Sequence, residues 1–86
     1  MLKDNDTVYC NLKQVSRSGM TRHIQFFIIR DDMPVFITYK IANLLDWKMN
    51  KWGDAIKVQG CGMDMGFHVV HTLADKLGIS LNHRWI

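Results

Sequence analysis

Along residues 7–15 the apolar side chains Val8, Cys10 and Leu12 alternate with Thr7, Asn11 and Lys13, which is the period of a strand with one buried face. Tyr9 falls on the other face of that strand, and Val15 breaks the alternation, so a bulge or the strand end is expected near Gln14. Residues 16–22, Ser-Arg-Ser-Gly-Met-Thr-Arg, combine small polar residues with a glycine, the chemistry of a turn between two strands. Ile24, Phe26, Phe27, Ile28 and Ile29 then form a nearly continuous β-branched and aromatic run, predicting a central strand covered in part on both faces. Asp31, Asp32 and Pro34 mark the next turn, and Val35, Phe36 and Ile37 continue as a short antiparallel strand. Pro34 cannot donate to a ladder and so predicts an edge.

The period then changes. Thr38 is the expected N-cap of a short helix running to about Lys48, with Ile41, Leu44, Leu45 and Lys48 on one face. A loop over residues 49–54 leads to a fourth strand in which Ala55, Ile56, Lys57, Val58 and Gln59 alternate. A glycine-rich turn opens directly into a second helix. Its core face is predicted from Gly66, Val70, Leu73, Ala74 and Leu77, widened by Phe67 and Val69, with His68, His71 and Asp75 opposite. Asp64 is placed to cap its first turn and Gly78 to end it in the left-handed conformation. The tail carries apolar residues without a clear period, so Trp85 and Ile86 are expected to dock on the body or lie at an interface. The order β-β-β-α-β-α predicts an α+β fold, a small antiparallel sheet with two helices on one face.

Composition narrows the classes. A chain of 86 residues with 48% apolar and 22% charged residues is one small folded domain. The net charge of +3 comes from cations scattered along the chain, which reads as a solvated surface and not as a basic tract. The polar, acidic first residues are unlike a secretory signal and no apolar run approaches a membrane span, so a cytoplasmic protein with no membrane partner is expected. Cys10 and Cys61 lack CxxC spacing and are expected to be free thiols.

Three groups carry candidate chemistry. Gly60, Gly62 and Gly66 expose backbone amides ahead of a helix, and Arg17, Arg22 and the hydroxyls of Ser16, Ser18 and Thr21 would suit a phosphate. Asp64 stands against an anion there, because its carboxylate would cap the helix or pair with Arg17 or Arg22 and hold the two loops together. Neither loop matches a Walker or dinucleotide fingerprint, so no cofactor is expected. Cys61 beside a helix start has the position of a lowered-pKa thiol, with His23, His68 or His71 as base, but nothing in the spacing orients that base. His68 and His71 sit on adjacent helical turns, where a metal would need Cys61 or Asp75 as a further ligand; a hydrogen bond from His71 to Asp75 explains the same residues. Trp47 and Trp52, flanking Lys48 and Lys51, form a patch suited to stacking on bases or to a protein contact, or else close the core.

Val-Ser-Arg-Ser-Gly-Met-Thr-Arg at 15–22 and Gly-Cys-Gly-Met-Asp-Met-Gly-Phe-His at 60–68 resemble two motifs of a family of small bacteriophage and prophage proteins with no assigned activity. The resemblance covers most of residues 7–77. It implies an accessory phage protein acting in a bacterial cytoplasm, where proteins of this size bind and disable host systems such as CRISPR. The expected function is therefore a non-catalytic inhibitor that binds a host protein or nucleoprotein. The alternative is a nucleic-acid or nucleotide binder using the loops at 16–22 and 60–66, and in either reading Arg17, Ser18, Arg22, Gly60, Gly62, Asp64 and His68 are the expected ligand- or partner-binding residues.

Overall fold

The computed structural model describes residues 2–59 and 64–86, with the backbone alone at 64 and 65. Its elements follow the expected α+β order and add one strand at the end: β1 (Asp6–Val15), β2 (Thr21–Arg30), β3 (Met33–Phe36), α1 (Thr38–Leu45), β4 (Ile56–Gln59), α2 (Asp64–Leu77) and β5 (Leu81–Trp85).

The long apolar strand β2 is the axis of the sheet. One edge pairs antiparallel with β1, from Tyr9 opposite Phe27 to Val15 opposite Arg22, with the expected bulge between Leu12 and Gln14. Its other edge is shared. β3 takes Phe27 to Arg30 and β4 takes Thr21 to Ile24, both antiparallel, so the two short strands lie in line like one interrupted strand. Pro34 sits on the outer strand, where its missing N–H costs no ladder bond. Asp31 and Asp32 both take positive φ, the backbone of a tight hairpin whose twist matches its strands.

The interruption falls at Phe26, and a side chain fills it. Thr38 Oγ1 accepts from the Phe26 amide at 2.9 Å and donates to the Phe26 carbonyl at 3.2 Å, while the Ile37 amide donates to the same carbonyl at 2.9 Å. Thr38 is thus not the N-cap expected from sequence. Ile37 holds that position without a side-chain cap, and the buried Thr38 hydroxyl serves the sheet. The helix also ends before Lys48: Asp46 turns left-handed at φ 55°, and the Trp47 amide folds back onto the Ala42 carbonyl. Leu44, placed on the core face by spacing, is 41% exposed.

β4 and β5 both run parallel to β1, so the chain must cross the sheet between them, and α2 is that crossover. It lays Val69, Val70 and Leu73 over Val8, Cys10, Ile24 and Phe26, with Ile41 of α1 completing a single core. Both helices therefore cover one face. Phe67 and Leu77, read as part of the buried stripe, are largely exposed at its borders. Gly66 marks the closest approach: a Cβ there would lie 2.6 Å from the Trp85 ring and 3.3 Å from Cys10 Sγ. Gly78 closes α2 at φ 68°, as its position predicts.

The tail, whose period was unclear, is the strand β5, parallel to β1 from Asp6 opposite Leu81 to Cys10 opposite Trp85, so the sheet is mixed and not antiparallel throughout as expected. Leu81, His83 and Trp85 turn inward and Asn82 and Arg84 outward; a histidine on the inner face hid the alternation. The start of the chain is tied to this strand through Asn5 and Asp4, which bond Ser80. Asp6 pairs with Arg30 at 2.6 Å across β1 and β2, and the Lys3 amide together with that guanidinium holds its carboxyl below the usual range.

Two outcomes follow for stability. Thr38→Val keeps the shape but strands the buried Phe26 amide, and should cost about 1–3 kcal/mol in urea unfolding. Leu73→Ala, at a side chain only 1% exposed, should cost about 2–5 kcal/mol, and Leu44→Ala less than about 1 kcal/mol.

Candidate functional site

The pairing of β4 with β2 brings the base of the first motif segment beside Gln59, the last described residue before the second. Thr21 lies opposite Gln59 and Arg22 opposite Val58, so the β1–β2 hairpin ends beside the point where the chain leaves β4. Gly60, Cys61 and Gly62 lie outside the described residues, as does the side chain of Asp64, and with them the expected ionic contact of Arg17 or Arg22 to Asp64.

The hairpin builds itself from its own polar groups. The Ser16 amide donates to the Thr21 carbonyl at 2.8 Å and Ser16 Oγ accepts from the Thr21 amide at 3.1 Å. Ser18 Oγ lies 3.2 Å from Ser16 Oγ and accepts from the Met20 amide at 3.3 Å, and Gly19 takes φ 76°. Two of the hydroxyls read as phosphate ligands, those of Ser16 and Ser18, are thus engaged in shaping the turn. That shape holds Arg17 in solvent at the tip, with Arg22 half-buried at the base.

Beside β4 the structure opens a cleft of about 490 Å³ between the segment after α1 and the first turns of α2. Trp47 and His68 form one wall, their rings stacked at 6.0 Å, and Lys48 and Lys57 bring two cations to it against the one carboxylate of Asp46. His68 thus stands at the site the second motif borders, while His71 stacks on Phe67 at 4.6 Å and faces elsewhere. The two imidazoles have different partners, and among the described residues no three His, Cys, Asp or Glu side chains gather as a metal would require. Cys10 is fully buried under α2, and desolvation pushes its thiol up to about 12.

The face of the sheet away from the helices is a second candidate surface. Arg84, Tyr9, Phe27 and Phe36 stand in register across β5, β1, β2 and β3, forming one lateral row. Tyr9 stacks on Phe27 at 5.2 Å and 15°, and Phe36 tilts onto Phe27 from the other side at 5.3 Å. On one side the next rows are polar, with Asn11 donating to Gln25 at 2.9 Å and His23 between Gln14 and Lys57; on the other side Ile29 stands opposite Pro34. At the rim Lys13 pairs with Asp54 at 3.0 Å, and Lys51 sits 4.7 Å over the ring of the exposed Trp52. Asn50 holds that corner, giving Asp54 Oδ1 a 2.8 Å bond and accepting from the Asp54 amide at 3.1 Å. Asp54 is accordingly held below the usual carboxylate range, by the Asn50 amide first and Lys13 second. The two tryptophans read as one patch belong to different sites, Trp47 to the cleft and Trp52 to this rim.

The aromatic row went unread in the sequence because Phe27 sits inside a continuous apolar run. Its signal was present in Tyr9, assigned to the outer face by alternation.

No protein-family model matches the chain, and comparison with the curated proteins and with the solved structures finds no match.

The Cys10 environment predicts an inert thiol. With the folded protein at pH 8, alkylation mapped by mass spectrometry should leave Cys10 unmodified and label it only after denaturation.

Proposed function

We propose that this protein works by binding, making and breaking no bond of its own, and that its partner is a host protein or nucleoprotein. In line with the resemblance of its two motifs to those of small phage proteins, that binding would disable a host defence component such as a CRISPR system. The observation that supports the reading is the β2–β4 register, which sets the first motif segment, at Thr21 and Arg22, beside the end of β4 at Val58 and Gln59. An exposed arginine at a self-braced hairpin tip, beside a cleft bearing Lys48 and Lys57, suits an anionic partner surface. The hairpin's internal hydrogen bonds lower the entropy cost of presenting that arginine.

A second reading has a specific support. The stacked Trp47 and His68 beside two lysines fit a base and its phosphate, so a nucleic acid or nucleotide bound between the cleft and the loops at 16–22 and 60–66 is the alternative.

Purification of the tagged protein from a bacterial host, with and without nuclease, separates the two. The expected result is a stoichiometric host protein that survives nuclease treatment and is lost from Arg17→Ala, whose melting temperature should be unchanged because the residue is exposed. A nucleotide or nucleic acid released on denaturation, without a protein, would establish the alternative. Equal capture by Arg17→Ala would remove the hairpin from the site.

A further inference from the structure

We propose that the uncovered face of the sheet is a platform for single-stranded nucleic acid, a surface that adjoins the motif end at Lys57 and does not rest on the partner reading above. Strand side chains alternate between faces, so one set packs under the helices and the other is left to water. The loop before β4 reaches this face at Gln25, whose Nε2 donates to the Asp54 carbonyl at 3.0 Å, and the aromatic row lies beyond that contact. A face with no partner is ordinarily polar throughout. Here its central row is aromatic on three adjacent strands, with Phe27 closed in at 9% exposure and Phe36 open at 57%.

The charge on the face is one-sided. Arg84 ends the aromatic row beside Tyr9, Lys57 ends the row through His23, and no strand residue on this face is acidic. The acids nearby are at the borders: Asp54, engaged by Lys13 and Asn50, and Asp31 and Asp32 in the β2–β3 turn. Between the aromatic and cationic rows lie the amides of Asn11 and Gln25. Those amides are bonded to each other and to the Asp54 carbonyl, so the recognition offered is that of planar rings and cations, a base to stack and a phosphate to neutralise. On the side toward the β2–β3 turn the row next to Phe27 and Phe36 is Ile29 opposite Pro34, apolar and in part exposed, and the polar and cationic rows lie on the other side.

Single strands are favoured by shape. A flat sheet enters neither groove of a duplex, whereas unstacked bases can lie on Tyr9 and Phe36 with the backbone passing Arg84 and Lys57. Trp52 at the rim, 60% exposed with Lys51 over one side of its ring, extends the stacking surface toward Gln14.

The test is fluorescence anisotropy of labelled single-stranded oligonucleotides of about twelve residues at about 50 mM salt, with a duplex of equal length as control. The expected result is that the single strand binds more tightly than the duplex, and that Phe36→Ala weakens it about tenfold. Arg84→Glu, which leaves the core untouched, should weaken it similarly and flatten the salt dependence. Arg17→Ala should leave it unchanged, which separates this surface from the motif end. Absence of single-strand binding by the native protein, or equal binding by both Phe36→Ala and Arg84→Glu with unaltered melting curves, overturns the proposal. So does a host protein lost from Phe36→Ala while oligonucleotide binding persists, which would make the face a protein surface.

Discussion

The fold depends on how one edge of β2 is satisfied. A ten-residue apolar strand presents more backbone donors and acceptors than either short strand beside it can meet, and an unpaired buried amide costs as much as a lost hydrogen bond. β3 and β4 divide that edge, and the Thr38 hydroxyl, accepting and donating at Phe26, closes the gap between them. Because the same residue begins α1, the bond also sets where the helix leaves the sheet. Ile41 and Ala42 reach the core from that point, and the chain returns through the Asn50 corner to resume the ladder at Ile56. The position of the cleft between Trp47, Lys57 and His68 follows from this excursion.

The crossover of α2 imposes the second constraint. A helix that must run from one side of the sheet to the other cannot stand off at the usual distance where Trp85 rises from β5, and Gly66 gives the ring the room a methyl group would occupy. The close contact buries Cys10 and commits both helices to one face. The outer face is then left with the side chains the alternation dictates, and its aromatic row is held by cross-strand stacking alone.

Two surfaces of different character result. The motif end pairs an arginine-tipped hairpin, braced by its own serines, with a cleft of mixed aromatic and cationic residues. The outer face is broad, flat and basic at its borders. Both suit partners with negative charge, and a nucleoprotein is a partner that could engage both at once. The most specific sequence in the chain lies at the first surface, while the second is built from residues that look ordinary when read singly.

Local periodicity by itself determined the α+β class, the first six elements, the bulge near Gln14, the edge role of Pro34 and the end of α2 at Gly78, because each is a property of a few consecutive residues. It also marked both motif segments as candidates. What needed the tertiary structure were the non-local pairings. The fifth strand exists because β1 offers Leu81 to Trp85 an edge, which outweighs an inward histidine. Thr38 leaves the capping role because a buried amide elsewhere needs it more. Leu44 and Phe67 fit the helical period yet stay 41% and 40% exposed, Phe67 resting against His83 of β5 and not in the core. The row of Arg84, Tyr9, Phe27 and Phe36 joins four strands through register, and register is decided between strands, where the pattern within any one of them is silent.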